Sequence, residues 1–551
     1  MSIADPIDTP ISTLDKQGAG TLTLSAANTY TGKTTITAGV VAVSTATALG
    51  ATSGTGTTEV ADGAVLSLSG TYTTFAEALT ISGTGGGNGA VRSTSGNKTL
   101  TGAVTLGASA TIQSDADTLT LSTGVAVTTS SGKDLTVSGA GATDIYMQVT
   151  GAGSLVKSGA GTLTLRNSSN NYSGTTTIDG GTLAIGGSGA VPDATAVSVS
   201  SGATLSVGYT ETIGSLSGAG SVTMTSNLLT GGNNGSTTFS GATTGGSGRL
   251  TKQGTGTMTL SGTNLHTGGV TVSAGVLEVS ADTNLGAVPV NATADRVVIN
   301  GGTLSVTTGF MLSSNRGMSL GSSIGTIQVA SGQTLTYGGI VANVSGQAGA
   351  LAKTGAGTLT LSGTNTFTGK TTVSLGTLSV AADNNLGSEP GSAVVDQLKI
   401  DGGTLATTAD FAIGTKRGVT IGDSDGTVNV ASGTTLTYGG VIAGASASAD
   451  FTKAGAGTLI LSGTSTYAGA TSISAGKLQF SSSSAGELSS STAVTVSSGA
   501  TFAVNGRTTS VGSIAGAGTI TLGAGTLTAG GDNSSTTYTG AISGTGGLTK
   551  A

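Results

Sequence analysis

Apolar side chains recur at every second position in short runs along this chain, as in Thr358-Leu359-Thr360-Leu361 and Thr371-Thr372-Val373-Ser374. A period of two is the mark of a strand with one buried face, and clusters of Gly, Asn and Ser close each run after about four to eight residues. No window carries the apolar stripe of an amphipathic helix. The pattern predicts many short strands joined by tight turns.

The runs belong to a longer repeat. GAGTLTLSGTNTFTGKTTVSLGTLSV, at 355–380, returns at Gly18 (GAGTLTLSAANTYTGKTTITAGVVAV), Gly159 (GAGTLTLRNSSNNYSGTTTIDGGTLAI), Gly254 (GTGTMTLSGTNLHTGGVTVSAGVLEV) and Gly455 (GAGTLILSGTSTYAGATSISAGKLQF). A lysine opens each copy, at Lys16, Lys157, Lys252, Lys353 and Lys453, and Leu548, Thr549, Lys550 and Ala551 begin a sixth. Intervals near a hundred residues, with one longer first interval of 141, are too long for one coil of a solenoid, so each must hold several. The connecting text repeats as well: AVSVSSGATLSVG (196–208) matches AVTVSSGATFAVN (493–505), and GTIQVASGQTLTYGGIVA (325–342) matches GTVNVASGTTLTYGGVIA (426–443).

Composition selects among β architectures. The 97 glycines supply turns, the abundant Thr and Val favour extended backbone, and only five prolines interrupt it. Aromatic residues make up 3% and Trp is absent, too little to fill a broad globular core. A solenoid needs only a thin aliphatic column, because each coil packs on its neighbours. The regular return of Leu, Val and Ile also sets the chain apart from a disordered glycine-rich polymer. The expectation is an all-β parallel β-helix (β-solenoid) forming a single elongated rod. At about 20 residues per coil and ~4.8 Å between strands it would have roughly 27 coils and a length on the order of 130 Å. Residues 1–13, with Pro6 and Pro10, would form an N-terminal segment or cap, and 14–551 a continuous solenoid.

The motif resembles the autotransporter-associated β-strand repeat, also called the passenger-associated transport repeat, with the pattern G-x-G-T-L-x-L-S-G-x-N-x-Y-x-G-x-T-x-[IV]-x-x-G-x-L. The copies lie near 14–43, 155–185, 250–279, 351–380 and 451–480, with a truncated start at 548–551; those opening at 355 and 455 fit closely and that at 254 less well. The resemblance implies a right-handed parallel β-helix in a large secreted bacterial surface protein. In that reading the chain is a non-catalytic, extracellular shaft of an autotransporter-like adhesin whose repeats aid secretion and coil-by-coil folding. Its partner during secretion would be an outer-membrane translocation barrel or another exporter. The start MSIADPIDTP lacks the basic and apolar regions of a signal peptide and no barrel segment closes the chain, so the expectation is a piece of something longer or a different export route. The alternative is a self-assembling extracellular filament or sheath, joined end to end, because the chain closes at the point in the repeat where it opens. A polysaccharide-active β-helix enzyme is the third and least favoured class.

Charge and chemistry narrow these readings little further. Twenty basic against 26 acidic residues argue against nucleic acid as a partner, and no apolar run reaches the ~18–20 residues of a membrane-spanning helix. Absence of cysteine suits a chain that threads a pore unfolded. No catalytic, cofactor-binding or metal-binding residue is expected, nor a binding site within the segment. The single histidine, His266, stands where Tyr30, Tyr172, Phe367 and Tyr467 stand in the other copies, and reads as a packing substitution and not as a general base. The four aromatic residues are expected half buried over a corner. Asp115 with Asp117 and Asp423 with Asp425 are the tight carboxylate pairs; both lie in turn-like text, with loose calcium binding as the alternative. The glycine runs at 83–89 and 231–235 lack the Lys-Ser/Thr of a phosphate loop and read as turns. Threonine pairs such as Thr358 and Thr360 would need to recur on every coil to make an ice-binding face, and the motif supplies them about once per five coils. Gly20, Gly161, Gly256, Gly357 and Gly457 are expected in tight corners that exclude a side chain or need positive φ.

Overall fold

The chain is a parallel β-solenoid with almost no helix. In the computed structural model the described residues are 1–8, 13–50, 56–122, 124, 126–130, 132–482 and 487–551, so Pro10 of the expected cap lies outside them. Two units are distinguished, Met1–Gly269 and Val270–Ala551. In the first, Leu14–Lys16 pairs with Thr34–Ile36, which pairs with Thr58–Val60, which pairs with Leu79–Gly83, all parallel. Ser2–Ile3 lies in parallel register against Thr23 and Leu24. In the second, Leu351–Thr354, Thr371–Val373, Val394–Ile400 and Arg417–Ile421 pair in the same succession. Three short 3-10 turns, Gly85–Gly87, Asp282–Leu285 and Asp383–Leu386, are the helical elements among the described residues.

Coil length departs from the uniform 20 residues. Glu211 pairs with Leu228, but Thr371 pairs with Leu398, because the longer coils carry excursions; the strand that follows each one shifts register, between Thr293 and Val297 and between Val394 and Leu398. Inside, the alternation does what the sequence pattern requires. Leu359 stacks between Leu335 and Leu378, and Leu361 between Tyr337 and Val380, all fully buried. Each such aliphatic side chain contributes about 1.5–3 kcal/mol, so a narrow column repeated along the axis replaces a globular core.

The corner glycines divide two roles between two positions. Positive φ falls on Gly18, Gly159, Gly254, Gly355 and Gly455, two residues before the expected set. At Gly161, Gly256, Gly357 and Gly457 the constraint is space: a Cβ would run into the carbonyl oxygen of Gly141, Gly235, Ala330 or Ala431 in the coil beneath. Gly20 differs, since a Cβ there meets nothing within 4 Å.

Candidate functional site: the buried polar links of the repeat

The lysine that opens each of the five full copies lies at or next to the end of a strand and is buried. Its stem lies in the aliphatic column, and its ammonium emerges under the following turn. Lys353, fully buried, donates to the carbonyls of Thr354 (2.7 Å), Gly355 (2.7 Å) and, in the next coil, Leu375 (3.1 Å). Lys16 does the same with Gln17, Gly18 and Ala38, Lys157 with Ser158, Gly159 and Gly180, and Lys453 with Ala454, Gly455 and Ala475. Lys252 bonds Gln253 and Gly254. The left-handed glycine two residues after the lysine lets the chain double back so that consecutive carbonyls face one cation. Burial pulls Lys157, Lys353 and Lys453 down to about 8, so they remain charged at neutral pH.

The motif asparagine ties three coils together. Asn170 accepts from Val149 N (2.7 Å), 21 residues earlier, and donates to Ala190 O (2.8 Å), 20 residues later. Asn28 bridges Ile7 and Ala48 in the same way, and Asn365 bridges Val341 and Asn385. Asn264 accepts from Thr243 N at 2.9 Å. All four are buried.

Two residues on sits the aromatic, and here the expectation of half burial is corrected. Tyr30, Tyr172, Phe367 and Tyr467 are at most 1% exposed and lie inside the column. A ring in that place must satisfy its hydroxyl internally. Tyr30, Tyr172 and Tyr467 do so with the hydroxyls of Thr34 (2.8 Å), Thr176 (2.7 Å) and Thr471 (2.6 Å). His266 takes the same buried position, with Nδ1 2.5 Å from Thr243 Oγ1 and Nε2 3.2 Å from Gly269 O.

Charged residues that look isolated in the sequence hold the excursions in place. Arg316 is fully buried and donates to the Asp282 carboxylate (3.0 Å) and the carbonyls of Leu285 and Gly286 (3.0 Å each). Arg417 repeats this with Asp383, Leu386 and Gly387. In the first unit an acid works in the opposite sense: Glu211 accepts from the N–H groups of Gly189 (2.8 Å), Ala190 (3.2 Å) and Val191 (2.7 Å). Burial pushes its carboxyl up to about 7 against the pull of these donors. Sequence reasoning missed these links; the available signal was the recurrence of Asp-x-Asn-Leu-Gly before each Arg-Gly, at 282–286 with 316–317 and at 383–387 with 417–418.

The remaining candidates stay apart. Asp115 pairs with Arg92 (2.7 Å), and Asp117 (φ 58°) accepts from Gly96 N. Asp425 (φ 65°) accepts from Asp450 N. Among the described residues no group of three acidic, His or Cys side chains is placed to hold a metal ion. The glycine run at 83–89 forms the first 3-10 turn, and that at 231–235 a turn with Asn234 at φ 61°. The threonine pairs are less isolated than the motif spacing suggests: Thr334 and Thr336 stack directly on Thr358 and Thr360, but the next rungs carry Thr377 with Ser379 and Thr404 with Ala406. No helix among the described residues is long and apolar enough to cross a membrane.

A family model described as passenger-associated-transport-repeat matches residues 14–43, 155–185, 250–279, 351–380 and 451–480. The chain is also 35% identical over 479 residues to a protein described as the adhesin BmaC autotransporter of Brucella suis biovar 1 (strain 1330). That alignment takes in 83% of this chain but 12% of the relative, so the chain spans a small part of the relative's length. No solved structure matches.

Proposed function

From the premise that the chain belongs to the passenger-associated-transport-repeat family, we propose that it is a non-catalytic segment of a bacterial surface adhesin of autotransporter type, acting as a shaft outside the cell. Its exporter would be an outer-membrane barrel. The observation that carries this reading is the use of the motif's polar side chains: Lys353, Asn365 and their counterparts bond backbone in adjacent coils and do not face solvent. Such a repeat supplies cohesion, not chemistry. A coil leaving a pore can close its Tyr-Thr bond alone, as Tyr172 does with Thr176 four residues on. The asparagine and lysine bonds are completed only when neighbouring coils dock, which favours sequential folding and opposes return through the pore. The likeness to an adhesin autotransporter supports the surface location.

The test is made in the source bacterium with the full gene. Antibody against this segment should label intact cells, and replacing Asn28, Asn170 and Asn365 together by Ala should lower the surface signal while total synthesis is unchanged. Segment confined to the cytoplasm would overturn the location, and undiminished display of the triple variant would overturn the transport role.

A further inference from the structure

Four Asn-Gly pairs occur in the chain: Asn88-Gly89, Asn234-Gly235, Asn300-Gly301 and Asn505-Gly506. In such a pair the glycine nitrogen can close on the asparagine side chain, because no Cβ shields it, but a nitrogen whose N–H is held in a hydrogen bond must first give that bond up. The structure separates the four on this point. Gly89 N donates to Thr84 O (2.8 Å), Gly506 N to Leu522 O (2.8 Å) and Gly235 N to the Asn233 side chain (3.0 Å). Gly301 is exposed, and its N–H has no acceptor among the described residues.

The next repeat shows why. Ile299-Asn300-Gly301-Gly302-Thr303-Leu304 aligns with Ile400-Asp401-Gly402-Gly403-Thr404-Leu405, with Gly301 and Gly402 left-handed at φ 92° and 90°. Gly402 N donates at 2.6 Å to the carbonyl of Asp425, a residue at φ 65°. Ile324 stands at that position one repeat earlier; a β-branched residue avoids positive φ, and the turn it makes leaves the Gly301 N–H unpaired. Asn300 Oδ1 accepts from Ser323 N at 3.0 Å, a donor placed where negative charge gathers when the amide carbon is attacked. Asn234 Oδ1 has a like donor in Thr255 N (2.8 Å), so the free N–H, and not this bond, singles out Asn300. The product of attack is already present in the fold. Asp401 Oδ1 accepts from Ser424 N at 3.0 Å in the same way, and its carboxylate pairs with Lys399 (2.7 Å).

We propose that Asn300 is a modification site of the folded chain, converted without an enzyme to aspartate through a cyclic imide with Gly301. Solvent hydroxide takes the Gly301 amide proton, the nitrogen bonds to Asn300 Cγ, the Cγ–Nδ2 bond breaks and ammonia leaves. Water then adds to the side-chain carbonyl of the imide and breaks its bond to the Gly301 nitrogen, which regains a proton while Asn300 keeps a carboxylate. Opening at the other carbonyl gives isoaspartate, which adds a methylene to the main chain between Ile299 and Thr303, both held in register with the next coil; aspartate is the product the coil accommodates. The site does not depend on the shaft reading. Peptide mapping by mass spectrometry of the full chain, kept folded at mildly alkaline pH, tests it. Asn300 should gain the amide-to-acid mass increment about tenfold or more faster than Asn88, Asn234 or Asn505, the rate difference expected for one hydrogen bond to be released. In urea the four rates should converge. Ile324→Asp, at an exposed position, supplies the residue type that engages Gly402 and should slow Asn300 by about tenfold while leaving the other three sites unchanged. Equal rates at the four sites of the folded chain, a lead of Asn300 that persists in urea, or an unslowed Asn300 in a folded Ile324→Asp variant would overturn the proposal. If that variant does not fold, the comparison of the folded wild type with the chain in urea gives the decision.

Discussion

Lys353 Nζ lies 3.1 Å from the carbonyl oxygen of Leu375, a residue one coil further along the solenoid, while its other two bonds stay within its own turn. The contact joins two coils through an ion with no counter-charge, held by peptide dipoles alone. Replacing Lys353 by Met keeps the stem and removes the ammonium, leaving three carbonyls facing a methyl group. The expected loss is about 2–4 kcal/mol, from desolvated acceptors without donors. It is read as a lower urea midpoint by circular dichroism; an unchanged midpoint would show that the carbonyls find water instead.

The corner glycines give a paired test. Gly357→Ala places a Cβ against the carbonyl of Ala330, whereas Gly20→Ala places one in open space at the same motif position. The first should cost about 2 kcal/mol or more and the second stay within about 0.5 kcal/mol. Equal effects would mean that the coil beneath does not set the constraint.

For the buried aromatic, Tyr467→Ala should cost about 3–5 kcal/mol, the loss for a fully enclosed ring. Tyr467→Phe should cost about 1 kcal/mol by stranding the Thr471 hydroxyl. The fourth repeat already carries Phe367, with Thr371 turned to the Leu386 carbonyl at 3.4 Å. Because the chain has no Trp, tyrosine emission reports unfolding directly; loss of the ring without loss of stability would contradict the buried placement.

Alkaline pH should act in two opposite steps. Lys157, Lys353 and Lys453 drop from an ordinary 10.5 to about 8 on folding, so between those values the unfolded chain binds more protons and stability rises with pH. Tyr30, Tyr337 and Tyr438 rise from 10.0 to about 12, so above pH 10 the folded chain holds protons that the unfolded chain has lost, and stability falls. Denaturation midpoints measured from pH 7.5 upward should therefore increase toward about pH 10 and then decline. A monotonic decline from pH 8 would show that the lysines keep their ordinary proton affinity in the fold.

Much of the molecule was already legible in the alternation of Thr358-Leu359-Thr360-Leu361 and its recurrences. A period of two fixes which face of a strand is apolar, and a repeat of many short strands without aromatic bulk leaves few ways to bury those faces except by stacking coils. The family resemblance rested on the same glycine, asparagine and aromatic positions.

What the sequence could not disclose is where polar side chains find partners, because those partners are backbone groups about 20 residues away and carry no signature of their own. Asn170 reads as a turn residue, yet only stacking brings Val149 N and Ala190 O to its two ends. Arg316 stands almost alone among uncharged residues in the sequence, but lies buried beneath an excursion that begins 34 residues earlier. Local alternation determined the strands and the column; the tertiary structure decided the links between coils, since these depend on the register in which one coil lies upon the next.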